Sequence, residues 1–362
     1  MGALRICDLH CDTGLLWQAG SSLQDTSLHV SLPHLIEGQV GLQVFAAYVP
    51  ASLPKDRCFS FVRQTIDRII DEIEGYPAQI VLCRNSREVV AARRQGRIAA
   101  LLAVENGDAI EEDLQKLRQL HGMGVRLMTL IHTRSNAWVV SSKDENPGFA
   151  GLSPFGEEVV EAMNELGMII DVSHVHERAV ERVLECSNAP IVASHSCMHG
   201  LCPIPRNIKD ELIRAIAAGG GLVGINFQPA FLDCSYRERG EKKVKAIFSA
   251  LDRMTEKAGS DPVKLGQAWM KFTKDFKNTM ATERLPLDKL LDQFDYLVDL
   301  VGEDVAAFGS DFDGIPDTPV GVEDCRGFNN IIRGLRERGY SRERLEKICW
   351  SNFFGVLKTV CG

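Results

Sequence analysis

Eight short apolar runs, each followed by a longer polar or amphipathic stretch, constrain this chain more than any other feature. The runs are rich in Val, Ile, Leu and Ala and cover residues 4–9, 41–49, 98–104, 125–131, 168–173, 191–194, 222–227 and 305–309. Between them apolar residues recur at helical spacing, as at Phe61, Ile66, Ile69, Ile70 and Ile73 within 58–74. Further helical patterns occupy 110–121, 157–166, 177–185 and 209–218, and a closing helix is expected over 341–360. Strands that are apolar almost throughout are buried on both faces, the habit of parallel sheets covered by helices. The alternation fits a (β/α)8 barrel of the TIM type, although an open doubly wound sheet shares it. Barrel enzymes reach 362 residues as one unit, so a single domain over 1–362 is expected.

The ends of the runs favour the barrel. His10, His132, His174 and His195 each stand at the C-terminal end of a run, as do Glu105 and Asp311, and Asp12 follows His10 by two residues. In a barrel all strand C-termini open on one face, which carries the active site. An open sheet would not bring its first and last strands together. Imidazole nitrogens and carboxylate oxygens are ligands for a divalent metal such as zinc. The simplest arrangement places His10 and Asp12 on one ion, His174 and His195 on a second, and Glu105 across both, a two-metal hydrolytic site. A single ion with spare ligands is the alternative. Asp311, in GSDFDG, is the candidate proton acceptor, with Asp313 second because Asp313-Gly314 reads as a turn. His132 is left to hold substrate or steady an oxyanion, or to serve as a further ligand.

Two connections are long. Residues 10–40 read as a loop or short hairpin, and 228–303 as an insertion between the seventh and eighth runs with helices at 237–255, 262–280 and 287–301. The string GGGLVG at 219–224 matches a dinucleotide fingerprint, but it leaves a helix and enters a strand, the reverse of that context.

Composition narrows the class of partner. A net charge of −8 without a basic run argues against nucleic acid and anionic membranes, and no apolar run is long enough to span a bilayer. Eleven cysteines, an odd number with no CxxC pair, read as mostly buried thiols. Without a leader or anchor pattern, a cytoplasmic protein is expected.

Several stretches together carry a resemblance: DLHCDT (8–13), VEN (104–106), LIHTRSNAW (130–138), GLSPFGEEVVEAMNELGMIIDVSH (151–174), ASHS (193–196), PRNI (205–208) and GSDFDG (309–314). The sequence resembles the membrane (renal-type) dipeptidase family, peptidase family M19, and within it the bacterial soluble members. The resemblance implies an amidohydrolase-type barrel with two zinc ions held by His10, Asp12, Glu105, His174 and His195, Glu105 bridging. It also implies a substrate-contacting histidine at His132, a carboxylate-binding arginine at Arg206 and a catalytic aspartate at Asp311. The implied reaction is hydrolysis of dipeptides, including those with a C-terminal D-residue, by a metal-bridging hydroxide. Homodimers are common in the family. Another amidohydrolase chemistry, on a lactam or acylated amine, and a catalytically silent binding barrel are the competing readings. Secreted relatives form disulfides, which are not assigned to this chain.

Overall fold

The structure, a computed structural model, describes residues 4–144 and 148–362. Each apolar run yields a strand: β1 (Ile6–Asp8), β2 (Val40–Tyr48), β4 (Ile98–Glu105), β5 (Val125–Thr129), β6 (Ile169–Asp171), β7 (Val192–Ser196), β8 (Leu222–Ile225) and β9 (Ala306–Phe308). A further short strand, β3 (Ile80–Leu82), was not expected. The strands pair in the order β1-β2-β4-β5-β6-β7-β8-β9, every pair is parallel, and Asp8 opposite Phe308 closes the ring. This is the (β/α)8 barrel. β3 lies outside it, along the first residues of β4 from Ile80↔Ile98 to Leu82↔Ala100.

The two-residue strand period divides the core. One cluster gathers Cys7, Val44, Leu101, Leu127, Ile169, Val192, Leu222 and Ala307, one from each barrel strand, with Phe353, Val356 and Leu357 of the C-terminal helix. Only the barrel interior brings all eight strands together, so that helix plugs its floor. Residues of the other parity, such as Ile6, Phe45, Leu102, Met128, Ile170 and Val223, pack in the larger cluster shared with the surrounding helices. Gly309 is required here: a Cβ would sit 1.9 Å from the Ser194 carbonyl oxygen, where β9 passes β7 inside the barrel mouth.

Residues 10–40 form two short helices, Thr13–Gln18 and Leu32–Glu37, rather than a hairpin. Ser31 caps the second, accepting from the His34 N–H, and Pro33 occupies its first turn. The expected helix at 110–121 begins later, at Leu114, because Asp113 caps it by accepting from the Gln115 N–H. The closing helix is interrupted by a π turn, Lys347–Ser351, before Asn352–Cys361. The insertion carries long helices at Cys234–Ala258 and Pro262–Met280, and then Asp288–Val301 leads into β9. Gly266 lies against Ala19 and the Leu15 carbonyl, seating the insertion on the first helix beside the mouth.

The expectation of mostly buried thiols holds for the majority of the cysteines, and one pair departs from it. Cys202 and Cys234, 32 residues apart, form a disulfide from the loop after β7 to the first long insertion helix. Asn207, in the loop after β7, donates to the carbonyls of Cys202 and of Phe231, three residues before Cys234, at 2.8 Å each. No CxxC spacing announces the pair, because the fold alone brings these segments together. The remaining nine cysteines are free, seven of them buried.

Candidate metal centre

The polar residues at the strand ends converge at the barrel mouth. Glu105 is the last residue of β4 and stands at its centre. Its Oε2 lies 3.8 Å from His10 Nε2, while its Oε1 lies 3.1 Å from His174 Nε2, 3.3 Å from His195 Nε2 and 3.9 Å from His132 Nε2. Asp12 Oδ2 is 3.3 Å from His10 Nε2, and Asp311 Oδ1 is 4.0 Å from it. His174 and His195 point their Nε2 atoms at each other across 2.9 Å. Three overlapping donor sets result: His10, Asp12 and Glu105; Glu105, His132 and His174; His10, His195 and Asp311. All seven residues proposed from sequence for the mouth are therefore together. His132 and Asp311 fall within the same donor sets as the five expected ligands, at slightly longer distances.

The electrostatics describe a site short of positive charge. Burial and the neighbouring Asp12 carboxylate hold Glu105 well above the usual carboxylate range. Burial and Asp12 likewise raise Asp311, to about 7. Burial opposes a charge on His10, yet Asp12 and Glu105 push it up to about 10. Burial keeps His132, His174 and His195 well below the imidazole value, so they are neutral and able to ligate. Both ring nitrogens of His10 and Oδ1 of Asp12 are buried without a hydrogen-bond partner. Buried polar atoms are normally satisfied, and an all-nitrogen and oxygen donor set around them fits a divalent cation.

Asp311 and Asp313 separate by their partners. Asp313 accepts from Thr13 Oγ1 at 2.7 Å and from the His29 and Val30 N–H groups at 2.8 and 3.1 Å, so it braces the wall. Asp311 accepts from Asn226 Nδ2 at 2.8 Å and otherwise faces the donors. Gly314 lets the chain lie against them: a Cβ there would meet Asp12 Oδ2 at 2.0 Å. Arg206 is buried beside the cluster, donating through Nη1 to Ser196 Oγ at 3.0 Å and through Nη2 to the His195 carbonyl at 2.6 Å.

Two residues were missed from the sequence. Tyr48 ends β2 directly opposite Glu105, with its hydroxyl 3.4 Å from His132 Nδ1. Asn226 follows β8 and holds Asp311. Each is a polar residue closing an apolar run, the same signal that marked Glu105. His176 caps the helix Glu177–Cys186, accepting from the Arg178 N–H.

Comparison with known proteins bears on the fold and the family. Dipeptidase tcpJ of Claviceps purpurea is 28% identical over 93% of this chain and 70% of its own length. Dipeptidase 3 of Rattus norvegicus is 26% identical over 98% of this chain, which spans 65% of the rat protein. Among solved structures, a family M19 metallopeptidase described as dipeptidase AC superposes with a TM-score of 0.81 at 24% identity over the whole of both chains. A metallopeptidase from Rhodobacter sphaeroides, liganded with a phosphinate mimic of the dipeptide L-Ala-D-Ala, gives 0.80 at 23% identity over 99% of this chain and 100% of its own. At these identities the superpositions speak for the fold. The family described as membrane dipeptidase (peptidase family M19) matches residues 1–361, and with that whole-length match the chain belongs to this family of metallo-dipeptidases.

Proposed function

We propose that this chain, acting as one barrel domain, hydrolyses dipeptides with two zinc ions at the mouth. His10 and Asp12 would hold one ion, His174 and His195 the other, and Glu105 would bridge them. The observation that carries this reading is the split of the Glu105 carboxylate, one oxygen toward His10 and the other toward His174 and His195. When bound, such a pair of ions supplies Lewis acidity and a water acidified toward neutral pH.

The chain's own groups account for the rest. Asp311, raised to about 7, can take a proton from the attacking water and return it to the departing amine. The Tyr48 hydroxyl lies 3.4 Å from His132 Nδ1; if it donates there, the proton of the neutral ring stands on Nε2, facing the site. That N–H can steady the oxygen of the scissile carbonyl. The Arg206 guanidinium supplies a charge-assisted partner for a free C-terminal carboxylate. An open choice at the residue it holds would admit a D-configured C-terminal residue.

Chelation should abolish hydrolysis of a dipeptide panel, and zinc should restore it at two ions per chain. Hydrolysis that survives complete metal removal would overturn the reading. The same panel with L- and D-configured second residues reads the stereochemical preference. A homodimer is the proposed assembly, read by sedimentation velocity. Among the described residues no helix is long and apolar enough to cross a membrane. A cytoplasmic location remains our proposal, and the disulfide gives it a direct test.

A further inference from the structure

Beneath the metal centre lies a buried carboxylate that the reaction does not use. Asp171, at the end of β6, is fully buried. Its Oδ1 accepts the N–H groups of Ser173 at 3.0 Å and Ser194 at 2.8 Å. Its Oδ2 accepts the hydroxyls of Thr129 and Ser194, the latter at 2.6 Å. Ser194 Oγ in turn lies 2.7 Å from Nδ1 of the next residue, His195.

The proton order in this chain is determined. A carboxylate surrounded by four donors acts only as an acceptor. The single hydroxyl hydrogen of Ser194 is therefore committed to Asp171. Its remaining capacity toward His195 is a lone pair, so His195 Nδ1 must carry the hydrogen. A neutral ring protonated at Nδ1 has a bare Nε2, the atom that stands 3.3 Å from Glu105 and 2.9 Å from His174 Nε2. His132 turns its Nδ1 to the Tyr48 hydroxyl, a group that can donate or accept, so the Asp171–Ser194 pair fixes the proton on His195 in a way that His132 does not share.

We infer that Asp171, acting through Ser194, is a positioning residue that presents His195 Nε2 as a metal ligand. The inference rests on reading the cluster as a metal centre. An Asp–Ser unit of the same form, Asp8 accepting the N–H and hydroxyl of Ser310, locks β9 to β1. It reaches no imidazole nitrogen, so the step into His195 is what makes the Asp171 unit more than a strand lock.

The test uses metal-free full-length chain and zinc. Nitrogen chemical shifts of the His195 ring should show Nδ1 protonated and Nε2 bare; the reverse tautomer overturns the inference without any variant. In competition with a chelating dye, Ser194→Ala should weaken the tighter or the looser of the zinc steps by about 10–100-fold. Asp171→Asn, which turns an acceptor into a donor beside Ser194, should act in the same direction. Thr129→Val removes a donor from the same carboxylate without touching Ser194 or His195, and should stay within about twofold, since the relay is intact. Equal losses in Ser194→Ala and Thr129→Val would mean general loosening and would reject the positioning role. Wild-type affinity in a folded Ser194→Ala chain would reject it as well. A wild-type chain that binds no zinc would overturn the metal-centre reading and this inference together.

Discussion

Two aspartates two residues apart should fail in opposite ways. Asp313 accepts three buried hydrogen bonds, from Thr13 Oγ1, the His29 N–H and the Val30 N–H. Asp313→Asn keeps one acceptor oxygen and turns an NH2 toward the other donors, so one or two of the three go unmet. Each unmet buried donor costs about 1–3 kcal/mol, which puts the loss at roughly 1–6 kcal/mol, a large share of a typical folding free energy. Asp311 accepts one bond, from Asn226 Nδ2. Asp311→Asn can turn its carbonyl to that donor, so its stability cost should stay within about 1 kcal/mol. Its catalytic cost should be about 10²–10⁴-fold in kcat, the usual worth of a general base. Urea denaturation midpoints of the metal-free chains read the first quantity, and kcat on one dipeptide with zinc restored reads the second. The reasoning fails if Asp311→Asn is as unstable as Asp313→Asn, or keeps its kcat. A stable Asp311→Asn chain that no longer retains zinc would make Asp311 a ligand.

Arg206→Ala should hurt a free dipeptide more than its C-terminally amidated form, by about tenfold or more in kcat/KM, since a charge-assisted bond of about 1.5–3 kcal/mol disappears only for the former; equal losses on both would reject its carboxylate role. The metal-free chain should lose stability as pH rises, from about 4 to 7 through Asp311, raised to about 7, and from 6.5 to about 10 through His10, raised to about 10, because each holds a proton that the unfolded chain has already released. The gap in Tm between zinc-loaded and metal-free chains should therefore widen with rising pH, and a constant gap would refute this. Denatured, non-reduced protein should titrate nine thiols if Cys202 and Cys234 are joined, whereas eleven would indicate a chain kept in a reducing compartment.

The barrel was legible in the sequence because both-faced burial leaves a continuous apolar run, and the eight runs became the eight barrel strands. β3 escaped because Ile80–Leu82 is too short to stand out and sits outside the ring. The mouth residues were legible for a related reason: a His or carboxylate closing an apolar run must lie at a strand end. Arg206 has no such position. It sits in the loop after β7 and came only from the family resemblance through PRNI. The Cys202–Cys234 bond was not legible because it joins the loop after β7 to an insertion helix, and the Asp171–Ser194–His195 chain because it depends on the side-chain register between the paired strands β6 and β7. Asp171 reads in sequence as one polar residue ending an apolar run, with nothing to mark the four donors around it.

The backbone at the mouth explains why hydrogen bonds, rather than loop rigidity, must hold this site. His174, Asp311 and Asp313 have φ of 67°, 61° and 65°, and Asn106 has 91°. Non-glycine residues held there cost about 1–3 kcal/mol each. Glycine would relieve the strain, but at His174 and Asp311 it would remove the side chains that the chemistry requires. The fold offsets the cost locally. The Asp311 N–H donates to the His10 carbonyl at 3.2 Å, and the Asp313 N–H to His29 Nδ1 at 3.0 Å. The His174 carbonyl accepts the Ser142 N–H at 2.7 Å, and Asn106 Nδ2 reaches the Val49 carbonyl at 2.9 Å. Turning left-handed just past the strand interrupts the alternation of side chains between the two faces of the sheet. At His174, five residues past the inward-facing Ile169, it turns inward a side chain that strand parity alone would point away, whereas Glu105 and Asp311 keep the parity of the inward-facing Leu101 and Ala307. The buried carboxylates and the His10 nitrogens without hydrogen-bond partners would be satisfied by a bound cation, so zinc binding should raise the Tm of the metal-free chain.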